Sequence, residues 1–478
     1  MKRDGRHPKG EPLTLAITDL TEEGAGVGHT ADGFAFFVKD AIPGDTVEAT
    51  VMKTKSRYGY AHLDRIVTAS PDRITAACPH ARACGGCQLQ ALSYPAELAW
   101  KEQRVRNALS RIGKMDEAAL EEKLLPICGA APERCYRYRN KAQLPIAPGR
   151  DGKPAAGFYA ARTHRVVPVT DCLLGDACFA EIQRLLLSHV EKYRIPAYDE
   201  ETGTGLLRHL LIRRGHHSGQ ISVTLVVNRP AGDAPDRLFP GVTQLSEQLF
   251  AGIPGMTSLS LNLNPARTNV ILGKELIPVQ GPLYIEDRMC DLTFHISPLS
   301  FYQVNTEQAE RLYRQAMDFA ALTGTETVID LYCGIGTITL LAAGQAARVI
   351  GVEVVPEAIE DAKGNAIRNG IENAVFQVGR AEEVLPALLR DGVRADVLIV
   401  DPPRAGLDPA CIDAIRTLSP KRIVYISCNP ATLARDLALL AHPEDEGLSA
   451  YQLTAARPYD LFSRTVHCEV CCLLTKLS

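Results

Sequence analysis

The sequence predicts an α/β protein in three parts: a small closed β-barrel of the OB type, a central α+β region, and a doubly wound, mostly parallel sheet. Residues 12–67 read as short strands broken by glycine and proline turns, which is typical of a small barrel. From about residue 301 strands alternate with helices, which indicates a parallel sheet. The chain has 478 residues, enough for about three domains at roughly 150 residues each.

Composition sets limits on the class of protein. Apolar residues make up 46% and charged residues 23%, ordinary globular values that argue against a largely disordered chain. The net charge is −4, so any nucleic-acid contact must come from local basic patches. The basic N-terminus has no apolar stretch behind it, and no run of about 18 apolar residues occurs. We therefore expect a cytoplasmic protein without a membrane partner.

The first predicted domain covers residues 10–69. Its strand patterns lie at 12–20, 33–38, 46–53 and 59–67, and short strands at this spacing favour a closed barrel. The charges of this region are nearly balanced, so RNA binding by the barrel cannot be inferred from charge.

The second predicted domain covers residues 70–300. Residues 94–112 have helical periodicity and end at Gly113. Residues 137–165 carry seven basic residues against one acid, a net of +6, with tyrosine and phenylalanine between them. A second basic group consists of Arg208, His209, Arg213 and Arg214. Basic and aromatic side chains together suit phosphate neutralisation and base stacking; the alternative is a solvated basic hairpin.

Three cysteines, Cys78, Cys84 and Cys87, fall within ten residues around a Gly-Gly pair. In a cytosolic chain this spacing favours metal binding over packing. A fourth ligand is needed, and Cys172 in a TDCLLGD turn is the best candidate. The competing residues are Cys128, Cys135 and Cys178. Four thiolates suit zinc or a [4Fe–4S] cluster, and a fourth ligand that stands alone favours iron–sulfur over a zinc ribbon.

The third predicted domain covers residues 301–478. A DLYCGIGT loop at 330–337 follows an apolar strand and opens a helix, and Glu353 ends the next strand, placed to bind ribose hydroxyls. A packing turn is the alternative for the glycines. The Asp401-Pro-Pro sequence follows a further strand and favours S-adenosylmethionine over a nicotinamide. Arg404 stands where amino-methylating enzymes carry an aromatic residue, so an amino nitrogen is not the expected target.

Cys428 follows the strand at 422–427 and is placed to act as a nucleophile, although such a thiol read alone is more often buried and inert. Glu469 lies within an apolar strand, a costly place for a carboxylate without a role. Together they suit carbon methylation of a pyrimidine: a thiolate adds to C6, C5 takes the methyl group, and a base removes the C5 proton. Phe301 or Tyr302 is the candidate platform for an extruded base.

At these motifs the chain resembles the RNA uracil-5-methyltransferase family that uses S-adenosylmethionine, over about residues 10–475. Within it, the chain is most similar to the ribosomal RNA branch, which has an N-terminal TRAM domain, a [4Fe–4S] cluster and a Rossmann-like catalytic domain. The resemblance implies that helix 94–112 packs on the catalytic domain. The implied roles are cluster ligands Cys78, Cys84, Cys87 and Cys172; cofactor residues Gln303, Tyr332, Gly334, Glu353 and Asp401; nucleophile Cys428; and proton acceptor Glu469.

We therefore expect a monomer that methylates C5 of uridine in large-subunit ribosomal RNA. Three alternatives stay open at this point. One is a tRNA uracil-5-methyltransferase, although that branch usually lacks the barrel and the cluster. A cytosine-5 enzyme usually carries its nucleophile in Pro-Cys order, whereas here the order is Cys428-Asn429-Pro430. The third is a non-enzymatic iron–sulfur RNA-binding protein.

Overall fold

The computed structural model describes residues 7–149, 152–442 and 448–477; Arg150 and Asp151 of the basic segment lie outside these ranges. The chain divides into two compact units. The smaller, which we call the barrel unit, comprises the described residues up to Trp100 together with Phe158–Val167 and Phe462–Val466. The remaining described residues form the larger unit.

The barrel unit contains a closed antiparallel and parallel barrel in the strand order β1-β2-β3-β5-β4. Its strands are β1 Pro12–Leu20, β2 Gly26–His29, β3 Ala35–Val38, β4 Thr46–Thr54 and β5 Tyr58–Thr68. Alternate residues point inward, so Leu15, Phe36 and Val47 fill the barrel. A Cβ at Gly59 would sit 2.3 Å from the Phe36 ring, so this strand position requires glycine. The predicted N-terminal barrel is confirmed.

A mixed sheet has the order β12-β11-β10-β9-β6-β7-β8, and its strands β6 and β9 to β12 belong to the larger unit. Its strands are β6 Lys141–Pro148, β7 Pro154–Tyr159, β8 Val166–Pro168, β9 Leu207–Arg214, β10 Ile221–Val227, β11 Met256–Leu263 and β12 Glu275–Gln280. The helices of this part of the sequence are α1 Tyr94–Arg111, α2 Glu117–Lys123, a 3-10 turn Pro132–Arg134, α3 Cys178–Lys192, α4 Pro235–Leu238 and α5 Val242–Gly252. Both α3 and α5 are amphipathic, and their buried leucines face the core.

A hairpin of β13 Ile285–Met289 and β14 Leu292–Ile296 precedes the second sheet of the larger unit. That sheet has the order β17-β16-β15-β18-β19-β21-β20. Its strands are β15 Thr327–Leu331, β16 Arg348–Glu353, β17 Ala374–Val378, β18 Val397–Val400, β19 Arg422–Ser427, β20 Tyr451–Tyr459 and β21 Glu469–Lys476. Its helices are α6 Thr306–Ala320, α7 Thr337–Ala343, α8 Pro356–Arg368, α9 Ala381–Arg390, α10 Pro409–Leu418 and α11 Pro430–Ala441.

Strands β15 to β19 of this sheet pair in parallel, whereas β21 pairs antiparallel with both β19 and β20. The central strands β15 and β18 are buried along nearly their whole length, as is typical of parallel strands covered by helices on both faces. Val105 and Leu109 of α1 belong to the same apolar core as this sheet. The predicted doubly wound domain is confirmed. Among the described residues no helix is long and apolar enough to span a bilayer.

Candidate active site

The loop after β15 is held in an unusual backbone conformation. Tyr332 has φ +67°, and Gly334 and Gly336 have φ +54° and +85°. A positive φ is common for glycine but strained for tyrosine. Two hydrogen bonds tie the loop to β16: Cys333 N–H donates to the Val352 carbonyl at 3.0 Å, and Gly334 N–H donates to the Glu353 carboxylate at 3.2 Å. The neighbouring strand therefore shapes the loop.

A pocket opens at this loop, at the carboxyl edge of the parallel sheet, where doubly wound folds bind their ligands. Its lining consists of Met289, Phe301, Tyr302, Gln303, Tyr313, Tyr332, Cys333, Gly334, Ile335, Thr337, Ile338 and Asp401. Of the predicted cofactor residues, Gln303, Tyr332, Gly334 and Asp401 are thus brought together. Glu353 stands behind the lining, where its carboxylate accepts from Gly334 and also from Val355 N–H at 3.0 Å.

Two carboxyl groups lie on or beside the adjacent strands β15 and β18: Asp401 lines the pocket and is partly exposed, and Asp330 is fully buried outside the lining. Asp401 follows β18, its N–H donates to the Leu331 carbonyl, and burial raises its pKa to about 7. Burial likewise raises the pKa of Asp330 to about 7, partly offset by the Thr339 hydroxyl, which donates to Asp330 at 2.6 Å. The second oxygen of Asp330 is buried without a hydrogen-bond partner among the described residues. A cationic group in the pocket would stabilise both carboxylates.

The antiparallel insertion of β21 places Glu469 beside Cys428. Ser427 at the end of β19 pairs with Val470, so the next position on each strand sets Cys428 against Glu469. Burial, together with the carboxylates of Glu469 and Asp401, raises the pKa of Cys428 to about 11, and Arg404 opposes them. Burial and Asp401 likewise raise the pKa of Glu469 well above its usual range. These three groups share one electrostatic environment.

Sequence reasoning did not identify the groups that hold this edge in place. Asp436 of α11 is fully buried, and its carboxylate accepts from Leu407 N–H at 2.8 Å and from the Tyr425 hydroxyl at 2.7 Å. The Asn429 amide donates to the Arg404 carbonyl at 3.1 Å. The Asp-Pro-Pro-Arg segment is thereby anchored to the helix that follows Cys428. The sequence feature that could have identified this contact is Asp436 itself, an acid in the mostly apolar sequence of α11.

Tyr313 and His467 were also missed. Tyr313 of α6 is buried in the pocket wall, and its hydroxyl and the Gln303 side chain share a hydrogen bond. His467 lies next to Arg404, with 3.4 Å between its Nδ1 and the guanidinium, and burial lowers its pKa to about 4. A neutral imidazole is therefore expected beside the guanidinium at neutral pH.

The two aromatic candidates for base stacking differ in accessibility. Phe301 is 71% exposed and lines the pocket. Tyr302 is buried, and its hydroxyl donates to the Arg288 carbonyl. Both residues line the pocket, so either candidate stays a prediction, and Phe301 is the accessible member of the pair.

The cysteine motif supplies the thiols that an iron–sulfur cluster needs, but among the described residues these thiols are not arranged as a metal site. Cys78, Cys84 and Cys87 are partly exposed in the barrel unit, and Gly86 N–H points at the Cys84 sulfur at 3.4 Å. Cys172 belongs to the larger unit. Over the described ranges no group of three or more His, Cys, Asp or Glu side chains is arranged to hold a metal ion.

The chain was compared with known proteins. A family model described as tRNA (Uracil-5-)-methyltransferase matches residues 217–477, and a TRAM domain model matches residues 8–63. An RNA methyltransferase of Halalkalibacterium halodurans is 45% identical over 461 residues, covering 96% of each chain. An RNA methyltransferase of Listeria monocytogenes is 41% identical over 470 residues, covering 98% of each.

Among solved structures, the Pyrococcus abyssi tRNA (uracil-54, C5)-methyltransferase in complex with S-adenosyl-L-homocysteine superimposes with a TM-score of 0.73. Its sequence is 26% identical, and the match covers 97% of this chain and 99% of that one. The interpretation as a non-enzymatic RNA-binding protein is therefore wrong, because the match includes the whole catalytic region. The chain belongs to the family of S-adenosylmethionine-dependent RNA uracil-5-methyltransferases and carries an N-terminal TRAM domain.

Proposed function

We propose that this enzyme methylates C5 of uridine in large-subunit ribosomal RNA, with Cys428 as nucleophile and Glu469 as proton acceptor. The observation that carries the chemistry is the strand register that sets Cys428 against Glu469 at the edge of the Asp401 pocket. A nucleophile, a base and a ligand pocket meet there, as covalent catalysis requires.

The steps follow from the reactivity of uracil. C5 is a weak nucleophile, so the Cys428 thiolate first forms a bond to C6, and the displaced electron pair gives C5 enolate character. C5 then takes the methyl group from the sulfonium, whose sulfur keeps the bonding electron pair and leaves as a neutral thioether. Glu469 removes the C5 proton, the electron pair returns to the ring, and the bond between C6 and sulfur breaks. The raised pKa of Glu469 suits it to accept that proton.

S-adenosylmethionine, when bound, supplies an electrophilic methyl group on a positively charged sulfonium. The pocket fits such a ligand, because Asp401 places a carboxyl group in its lining, and the buried carboxyl of Asp330, which has one oxygen unpaired among the described residues, adds a second acid on the adjacent strand. We assign Gln303, Tyr332 and Gly334 to its lining, and Glu353, whose carboxylate also holds the loop through Gly334 N–H, to its ribose hydroxyls. Phe301 is exposed where the uracil ring would stack.

The ribosomal target follows from the resemblance to the ribosomal branch, in which the barrel and the cysteine motif occur together. A tRNA target is favoured by a different observation: the similar Pyrococcus abyssi tRNA enzyme covers 97% of this chain, so a comparable length does not separate the two substrates. Nucleoside mass spectrometry on rRNA and tRNA from cells lacking the protein decides between them. Loss of 5-methyluridine from the large-subunit rRNA supports the proposal. Loss from tRNA alone, or loss of 5-methylcytidine, contradicts it.

The covalent step has its own test. RNA substituted with 5-fluorouridine has no C5 proton to remove, so it should accumulate as a covalent complex with the enzyme and cofactor. Cys428→Ala should form none, whereas Cys290→Ala, which alters a partly buried cysteine outside the pocket lining, should trap as wild type does. A complex that forms with Cys428→Ala would refute the assignment.

We further propose that Cys78, Cys84 and Cys87, with Cys172, bind a [4Fe–4S] cluster. The clustering of thiols and the N–H directed at the Cys84 sulfur support this donor set. Anaerobic purification should yield about four iron and four sulfide per chain, and Cys84→Ser should lower both. Zinc as the bound metal would contradict the cluster assignment.

A further inference from the structure

Two cationic side chains face each other across neighbouring strands of the mixed sheet. Lys141, the first residue of β6, pairs directly with Arg213 of β9. Side chains of directly opposed residues lie on the same face of a sheet, about 5 Å apart at Cβ. Arg213 is only 2% exposed, whereas Lys141 retains some access to solvent. Like charges at opposed positions are unfavourable, so this arrangement calls for a compensating interaction.

The protein itself supplies little compensation. Arg213 makes one hydrogen bond, from Nη2 to the Ser300 carbonyl at 2.8 Å, and its Nε and Nη1 are buried without a partner among the described residues. No carboxylate of the described ranges forms an ion pair with Lys141 or Arg213. Burial and the charges of Arg213 and Arg139 lower the pKa of Lys141 to about 8, and burial lowers that of Arg213 to about 10.

Arg139 adds a further positive charge near Lys141, and the next side chains along the sheet row are polar and uncharged. Along the same row of the sheet Arg213 is followed by Ser222 and then Ser258, both buried, and the Ser258 hydroxyl has no partner within the described residues. Neutral hydroxyls and water complete hydrogen bonds without offsetting a net positive charge. Burying a charge without a counter-charge is expensive, so an anion is the ligand that this place suits.

The location indicates which anion. Ser300, the partner of Arg213, directly precedes Phe301 in the pocket wall. Asn140, next to Lys141, donates from its amide to the Gln303 carbonyl at 2.8 Å and from its backbone N–H to the Val304 carbonyl. The start of β6 is thus joined to the segment on which the base would stack. A nucleotide whose base stacks on Phe301 carries a phosphate on each side, and the start of β6 adjoins the segment that holds Phe301.

We propose that Lys141 and Arg213 form a binding site for an RNA backbone phosphate next to the target nucleotide. This inference rests on the proposed RNA methylation at the same pocket and adds a substrate contact to it. Lys141 makes the direct contact, and Arg213 supplies a fixed positive charge behind it. Such a contact positions the strand without reading its sequence.

The test measures RNA affinity of the full-length protein as a function of salt, with poly(U) and a large-subunit rRNA transcript as probes. Each lost phosphate contact lowers the slope of log K against log salt by about 1. Lys141→Met should lower the slope by that amount and the affinity about tenfold with both probes. Lys141→Arg should retain the slope. Lys192→Met, which removes an exposed cation of α3, should behave as wild type.

Two further measurements keep the outcome unambiguous. The melting temperature of Lys141→Met without RNA should be unchanged or higher, because a like-charge repulsion is removed; a lower value with an unchanged salt slope means a structural role and overturns the site. Affinity for S-adenosyl-L-homocysteine should be unchanged; a fall in that affinity alone means that the anion is the cofactor carboxylate. Intact methylation with an unchanged slope refutes the phosphate site and leaves the proposed function standing.

Discussion

The two sheets of the larger unit bury charges of opposite sign. The parallel sheet encloses the carboxyl groups of Asp330, Asp401 and Glu469, each with a raised pKa. The mixed sheet encloses Lys141 and Arg213, each with a lowered pKa. Burial alone shifts acids upward and bases downward, so each group is shifted toward its neutral form. Each sheet therefore suits a ligand of the opposite charge: a sulfonium for the acids and a phosphate for the bases.

The largest expected effect is the loss of the nucleophile. Cys428→Ala should lower the methylation rate by at least about 10⁴-fold, because C5 of uracil does not attack the methyl group unaided. The affinities for the cofactor and for RNA should be nearly unchanged, because the substitution alters neither the acids of the parallel sheet nor the cations of the mixed sheet. Single-turnover transfer of a radiolabelled methyl group measures the rate. Activity within tenfold of wild type would show that the thiol is not required.

Glu469→Gln should slow turnover by about 10² to 10⁴-fold, the usual contribution of a general base. Methylation of C5 would still proceed. With RNA that contains no fluorouridine, the enzyme should therefore remain bonded to C6 of the methylated nucleotide. Denaturing electrophoresis detects that complex. Removing the carboxylate also lowers the pKa of Cys428, so iodoacetamide should alkylate Cys428 of the free variant at lower pH than in wild type. An unchanged alkylation profile would contradict the electrostatic coupling of the two groups.

Asp401→Asn should weaken S-adenosylmethionine binding by about tenfold to hundredfold, the loss of one charge-assisted interaction, measured by calorimetry. The cofactor-free variant should nevertheless be more stable than wild type above pH 7. The folded-state pKa of Asp401 is raised from 3.8 to about 7, so the wild-type carboxyl favours the folded state below pH 4 and loses this advantage as pH rises to 7.

The matched control for that variant is Asp396→Asn. Asp396 is paired with Lys421 at 2.9 Å, and its pKa is lowered rather than raised. This variant should be less stable than wild type at pH 7, and the difference should shrink as pH falls below about 4. Thermal melts across pH 4 to 9 compare the two. Parallel behaviour of both variants would show that burial does not disfavour the Asp401 charge.

The smallest effect concerns base stacking. Phe301→Ala should raise the KM for RNA about tenfold, since stacking of a base on an aromatic ring contributes roughly 1–3 kcal/mol. Cofactor affinity should stay the same, because the exposed ring contributes no charge. Phe301→Tyr keeps the ring and should retain the wild-type KM. An equal loss for both variants would mean that the position acts through packing rather than stacking.

Local patterns predicted the fold well. The strands ending before Asp401 and Cys428 lie where the apolar runs and the following Pro residues indicate, and helix α1 ends one residue before the predicted limit. The resemblance of the motifs to those of the family predicted that Gln303, Tyr332 and Asp401 share one pocket. Tyr302, by contrast, looked as available as Phe301, because exposure depends on which elements cover a ring and not on its neighbours in sequence.

The sequence by itself determined the elements, their order and the chemistry of each motif, since periodicity, turn residues and apolar runs act over a few residues. Only the tertiary structure decided which side chains meet. Inserting β21 between β19 and β20 sets Glu469 against Cys428, and pairing β6 with β9 sets Lys141 against Arg213. Both pairings depend on strand register, which the packing of the whole core selects. A slip of one residue would move every side chain of the strand to the other face of the sheet.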